Sequence, residues 1–206
     1  MASAYRGDRH AEQVREWCRA ALARWTEPHE SHDVDTSLGP THVVSLGHGD
    51  GVCIYLPGQP GLSCPVRPKD EVPAYASWLA ELVSWVRSRR DQGPLVIAGH
   101  SRGAAVALSA DPDAVDGLAL LSPAGLVGTT GAPGAYPERV VARWKGRNLR
   151  VVVGEHDAFF PAARLREASR SRLGKDPVVL RGAGHLLVDE EPERVTELVA
   201  ELCRTG

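Results

Sequence analysis

Ser101 lies in Gly99-His100-Ser101-Arg102-Gly103, directly after the apolar run Leu95–Ala98 and before the alanine-rich stretch Ala104–Ala110. A serine on a sharp strand-to-helix turn presents its hydroxyl for attack on a carbonyl, and the flanking glycines tolerate close packing that a Cβ would block. Two other residues supply what that hydroxyl lacks. Asp157 follows Leu149–Val153 through Gly154-Glu155-His156, and His185 closes Arg181-Gly182-Ala183-Gly184-His185 after Pro177–Leu180. A serine hydroxyl is a poor nucleophile at neutral pH until an imidazole takes its proton and a carboxylate fixes the imidazole's tautomer. The expected roles are Ser101 as nucleophile, His185 as base and Asp157 as orienting acid. Each has a plainer alternative: a glycine-rich loop around Ser101, a solvated turn histidine, and a helix cap for Pro161–Arg172. His156 is a second candidate base, expected to be exposed beside Asp157, and His100 is expected to be structural.

Residues so far apart in sequence meet only if a sheet gathers them. From Asp70 onward the chain alternates helix and strand: a helix over Asp70–Arg90 with Tyr75, Trp78, Leu79, Leu82, Val83 and Val86 on one face, then strand Leu95–Ala98, helix Ser101–Ala110 and strand Leu118–Leu121. Strand Leu149–Val153, helix Ala162–Arg172, strand Pro177–Leu180 and helix Glu193–Cys203 continue the pattern. Such alternation implies a parallel sheet with helices on both faces, and functional residues in such sheets collect at the carboxyl ends of strands. Ser101, Asp157 and His185 all fall there. Upstream, His10–Trp25 is an amphipathic helix with Val14, Trp17, Ala21 and Leu22 on its apolar side, and strands are expected near Val34, at Thr41–Leu46 and at Val52–Leu56. The last two are joined by five residues, too few for a parallel crossover, which predicts a hairpin between them.

The 206 residues fit a single domain with an N-terminal helical extension over residues 1–30; 43% are hydrophobic and 24% charged, as in an ordinary globular protein. Twenty-four basic against 26 acidic residues leave a net charge of −2, with no footprint for nucleic acid or an anionic membrane. There is no apolar run of about 18 residues, and the polar stretch Met1–His10 lacks the apolar segment of a secretion signal, so a cytoplasmic protein is expected. Cys18, Cys53, Cys64 and Cys203 are scattered, and the eight histidines form no zinc-binding spacing, so reduced thiols and no metal or cofactor are expected.

In these motifs and their order the chain resembles the α/β-hydrolase family, in particular its small esterase-like members. The blocks are Thr41-His42-Val43, Leu56–Ser63, Gly99–Gly103, Leu121-Ser122-Pro123-Ala124-Gly125, Gly154–Asp157 and Gly182–Leu187. The order serine, acid, histidine is that family's order. Carried over residue by residue, the resemblance implies Ser101, Asp157 and His185 as the catalytic triad. Two departures stand out. The family places two strand–helix units before the serine turn, the first supplying an oxyanion-hole amide, whereas this chain has room for one, and His48-Gly49 is only a dipeptide match. The resemblance therefore implies a shortened fold in which the amide of Arg102 is one oxyanion donor. The second donor is expected from Gly58 or Gln59 only if Leu56–Gly61 neighbours the serine strand. The family's helical cap also has little room within Gly125–Gly146, which implies an open site walled by Tyr136, Trp144, Phe159 or Phe160 or covered by a second copy of the chain; those aromatics read equally well as core.

The leading expectation is a serine hydrolase acting on an ester, thioester or amide, with a place in a biosynthetic pathway. A non-hydrolytic enzyme on the same scaffold (cyclase, epimerase or lyase) acting on a bulky or peptide-like substrate is the second. An idle binding module is the third, disfavoured because all three chemical residues are in place.

Overall fold

The computed structural model describes residues 2–3, 5–58, 63, 66–68, 71–90, 92–127 and 136–204. In chain order the first elements are β1 (Ala2–Ser3), α1 (Asp8–Leu22), β2 (His29–Val34), β3 (Thr41–Leu46), β4 (Val52–Leu56), β5 (Val66–Arg67) and α2 (Glu71–Arg87). There follow β6 (Leu95–His100), α3 (Arg102–Ala107), β7 (Gly117–Leu121), α4 (Glu138–Val141) with a 3-10 turn at Ala142–Trp144, and β8 (Leu149–Gly154). The chain closes with α5 (Ala162–Leu173), β9 (Val178–Leu180), α6 (Leu187–Glu190) and α7 (Pro192–Arg204).

Contacts group the chain into two compact units, Met1–Gly49 with Gln59–Asp91, and Asp50–Gly58 with Gln92–Gly206. In the first, β2 and β3 form an antiparallel hairpin running from His29 opposite Leu46 to Val34 opposite Thr41. Its turn is closed by the Gly39 amide donating to the Thr36 carbonyl at 2.9 Å, with Gly39 at φ 94°, a conformation a side chain would resist. Helix α2 is stitched to this hairpin by the Trp78 indole N–H on Thr41 Oγ1 (2.8 Å) and by the Ser37 amide on Glu81 (2.8 Å). Leu79, Leu82 and Val83 form its buried stripe, as the sequence spacing predicts. Helix α1 differs from its expectation: only Ala11 is fully buried, and Trp17 stands 68% exposed.

The second unit holds a five-stranded sheet in the order β4-β6-β7-β8-β9, parallel throughout. This corrects the expected hairpin between Thr41–Leu46 and Val52–Leu56, because β3 pairs with β2 and β4 pairs with β6, placing Leu56 beside Gly99. A five-residue link forbids parallel pairing between the two strands it joins but does not oblige them to pair at all. The long stretch between β4 and β6 has ample length for a parallel crossover.

Every residue of β6 and β7 is buried, the pattern of strands covered on both faces. Val96, Ala98 and Ala119 on one face pack with Leu202 of α7, while Leu121, Val152 and Leu180 pack with Leu187, Val195 and Leu198. Spacing of three and four residues puts Val195, Leu198 and Leu202 on one stripe of α7. On the opposite face α3 presses against Gly99, where a Cβ would fall 2.5 Å from the Gly103 carbonyl oxygen; one at Gly103 would lie 2.0 Å from that of Leu56. Both glycines of the Gly-x-Ser-x-Gly motif are thus required by helix–sheet contact. Of the two readings the sequence leaves open for Trp144, site wall or core, the structure takes core: it is 1% exposed and its indole donates to the Leu108 carbonyl at 3.1 Å. The Arg172 guanidinium of α5 gathers the carbonyls of Gly125, Leu126 and Tyr136, fastening both ends of the segment where a cap would be inserted. No helix among the described residues is long and apolar enough to cross a membrane.

Candidate active site

Ser101 occupies the turn between the carboxyl end of β6 and α3, at φ 54° and ψ −115°. Among the described residues only Ser101 and Ser122 hold a positive φ without being glycine. The turn is clamped on both sides: the Ser101 amide donates to the Leu121 carbonyl (2.9 Å), and the Ser101 carbonyl accepts from Ala104 and Ala124 (3.1 Å each). Backbone in this sparsely populated region persists only when its surroundings hold it there, and such strain gathers at functional sites.

The neighbouring strand β4 brings Gly58 against this turn. A Cβ built on Gly58 would sit 3.5 Å from Ser101 Cβ and 3.9 Å from Ser101 Oγ. Gly58, the expected oxyanion contributor, is thus beside the nucleophile candidate, and Arg102 follows it as the first residue of α3. Gln59, the alternative donor, lies outside the described residues.

Asp157 and His185 meet as a pair. The Asp157 side chain is fully buried, with Oδ1 accepting the amides of Phe159 and Phe160 (2.9 Å each) and Oδ2 accepting His185 Nδ1–H at 2.9 Å. Burial alone would push its carboxyl up, but the hydrogen bonds from His185 and the Phe160 amide outweigh it and hold the pKa below the usual carboxylate value. A carboxylate on Nδ1 leaves the opposite ring nitrogen, Nε2, as the basic one.

The loops carrying this pair are tied together. The Glu155 and His156 amides donate to the carbonyls of Leu180 (3.0 Å) and Ala183 (2.8 Å), and Glu155 Oε2 accepts the Gly182 amide (2.9 Å). Glu190 accepts the amides of Gly184 and Leu186 on either side of His185. From the serine turn, His100 Nε2–H donates to the His185 carbonyl at 2.7 Å. Burial lowers the His100 pKa, and its ring serves as a neutral strut. His156 stays 68% exposed, as expected. The walls around His185 are Phe159 and Phe160, with ring centroids 4.9 and 5.5 Å away; Phe160 is buried and Phe159 is 69% exposed. No group of three or more His, Cys, Asp or Glu residues fit to hold a metal occurs among the described residues.

A family model described as serine hydrolase matches residues 66–203. The chain belongs to the serine hydrolase family. No curated protein matches this hydrolase. Among solved structures it is similar to carboxylesterase CesB (YbfK) from Bacillus subtilis, at 18% identity and a TM-score of 0.74, covering 97% of this chain and 100% of that one. It is also similar to naproxen esterase (carboxylesterase NP) from the same organism, at 16% identity and a TM-score of 0.70, covering 96% and 99%. A thermophilic esterase from Thermogutta terrifontis aligns at 18% identity and a TM-score of 0.58, covering 85% and 98%. These likenesses establish a shortened α/β-hydrolase fold, and with the family match make this hydrolase an enzyme of the α/β-hydrolase type. The sequence reading missed Glu155 and Glu190, whose spacing to their partners has no motif.

Proposed function

We propose that this hydrolase cleaves carboxylic esters, with thioesters or amides as the related class, through an acyl-enzyme on Ser101. The observation that carries the reading is the buried Asp157–His185 pair at 2.9 Å, delivered to the same sheet edge as the strained Ser101 turn. Ser101 Oγ attacks the carbonyl carbon while His185 Nε2 takes its proton; the imidazolium, steadied by Asp157, then protonates the leaving oxygen. A water attacks the acyl-enzyme by the same route, returning the proton to Ser101. The oxyanion is received by the amides of Arg102 and Gly58, a pairing supported by the approach of Gly58 to Ser101. Phe159 and Leu186, 69% and 52% exposed, favour a substrate with an apolar acyl or alcohol portion. The adjacency of Gly58 to the nucleophile favours hydrolysis over the non-hydrolytic alternative.

The test is turnover of an activated aryl ester by the native enzyme and by two variants at one position. Gly58→Pro deletes the proposed donor and is expected to lower kcat by about 10²–10³. Gly58→Ala keeps the amide, places its Cβ at an ordinary 3.5 Å contact, and is expected to remain within a few fold of native. Native rates no better than free imidazole would overturn the hydrolytic reading, and equal rates for Gly58→Pro and Gly58→Ala would remove Gly58 from the oxyanion hole.

A further inference from the structure

Among the described residues of the second unit, the large apolar side chains left exposed are Tyr55, Phe159 and Leu186, and two of the three flank the proposed base. Leu186 follows His185 in the chain, and the Phe159 ring has its centroid 4.9 Å from the imidazole, inclined at 58° to its plane. Both are fixed through their backbone: the Phe159 amide donates to Asp157 Oδ1 and the Leu186 amide to Glu190 Oε1, each at 2.9 Å. Phe160, the other phenyl ring beside His185, is buried and has little surface to offer a ligand. Single exposed apolar residues are ordinary, but two held against one imidazole form a contact surface at the point where a proton must be delivered.

The chemistry of ester cleavage says which part of a substrate reaches that surface. In acylation the bond from Ser101 Oγ to the carbonyl carbon forms, the bond from that carbon to the alcohol oxygen breaks, and the proton taken by His185 Nε2 passes to the departing oxygen. The alcohol oxygen must therefore come within hydrogen-bond reach of the imidazole, about 3 Å. The carbonyl oxygen is drawn instead to the oxyanion donors, and the acyl chain carries no atom that the imidazole serves. Side chains packed around His185 thus meet the alcohol portion first. We infer that Phe159, with Leu186, forms the alcohol subsite of this hydrolase and makes it selective for esters of apolar, ring-bearing alcohols. This rests on the acyl-enzyme reading above. An exposed phenyl ring packs against a second ring in offset or edge-on geometry and removes apolar area of both from water, whereas an alcohol as short as methanol is too small to cover it.

The experiment measures kcat/KM, which reports acylation, for two pairs of esters with the native enzyme, Phe159→Ala and Phe159→Leu. Benzyl and methyl acetate share an acyl group and release alcohols of similar basicity; ethyl hexanoate and ethyl acetate share an alcohol and differ in the acyl chain. Phe159→Ala is expected to cut the benzyl-to-methyl ratio about tenfold, the low end for an apolar contact because this wall is exposed, and to leave the hexanoate-to-acetate ratio within about twofold. Phe159→Leu keeps an apolar side chain and is expected to retain more of the benzyl-to-methyl ratio than alanine. Both variants should fold, because the side chain is exposed and the bond to Asp157 uses the backbone. A benzyl-to-methyl ratio unchanged in Phe159→Ala overturns the inference, and an equal fall for the acyl pair assigns the wall to the acyl chain and overturns it too. Ser101→Ala is measured alongside on benzyl acetate: activity retained there sinks the acyl-enzyme reading itself, whereas an inactive Ser101→Ala beside unchanged Phe159→Ala ratios sinks only the alcohol subsite.

Discussion

Replacing Ser101 by alanine is expected to lower ester turnover by about 10⁴- to 10⁶-fold while leaving the thermal unfolding midpoint within a few degrees of native. On the proposed mechanism the nucleophilic oxygen is lost outright, and the remaining site can only polarise the carbonyl for attack by water. The cost to folding is small because the change deletes one atom and leaves no sizeable cavity. The turn itself stays clamped by backbone hydrogen bonds from Ser101 to Leu121, Ala104 and Ala124, none of which involves the side chain. Steady-state kinetics beside a melting curve checks both halves. Substantial activity in a folded Ser101→Ala protein would show that the chemistry takes place elsewhere.

Asp157→Asn is expected to cost about 10⁴-fold in kcat, because an amide N–H facing Nδ1 favours the tautomer with its proton on Nε2, which cannot accept the serine proton. A stability signature accompanies it. The Asp157 pKa is depressed in the folded protein, chiefly by hydrogen bonds from His185 and the Phe160 amide acting against burial. A depressed carboxylate contributes stability that is present above its unfolded value of about 3.9 and is lost as pH falls through the lower folded value. Native protein should therefore be more stable than Asp157→Asn at neutral pH, with the gap closing in strong acid. Denaturant melts across pH measure this; a gap constant down to the most acidic conditions would show that the ionised carboxylate is not what the fold stabilises.

The strand-end positions of the three proposed triad residues were more legible in the sequence than the pairings around them. Ser101, Asp157 and His185 each follow a run of apolar residues, and buried parallel strands are such runs, so placing all three at strand ends needed only local pattern. The partner of Val52–Leu56 was not legible. Pairing β4 with β6 joins strands separated by a whole helix, and hydrophobic periodicity carries no information about which strand a buried edge will choose. The sequence offers Gly58 as an oxyanion donor only on the condition that its segment neighbours the serine strand, and what brings Gly58 beside Ser101 is the β4–β6 register that puts Leu56 beside Gly99. Aromatic residues were ambiguous for a related reason. Trp144 and Phe159 look alike in a sequence, yet one ends 1% exposed in the core and the other 69% exposed beside His185. Glu155 and Glu190 hold the acid and histidine loops through side chain to backbone bonds, contacts with no periodic signature.

Covalent labelling tests whether Ser101 is an activated nucleophile without knowledge of the substrate. Native protein incubated with a fluorophosphonate is expected to gain the mass of one phosphonyl group, mapped to Ser101 by peptide mass analysis. Labelling should be lost in Ser101→Ala and slowed strongly in His185→Gln. A folded native protein that takes up no label, or one labelled equally in Ser101→Ala, would contradict the account.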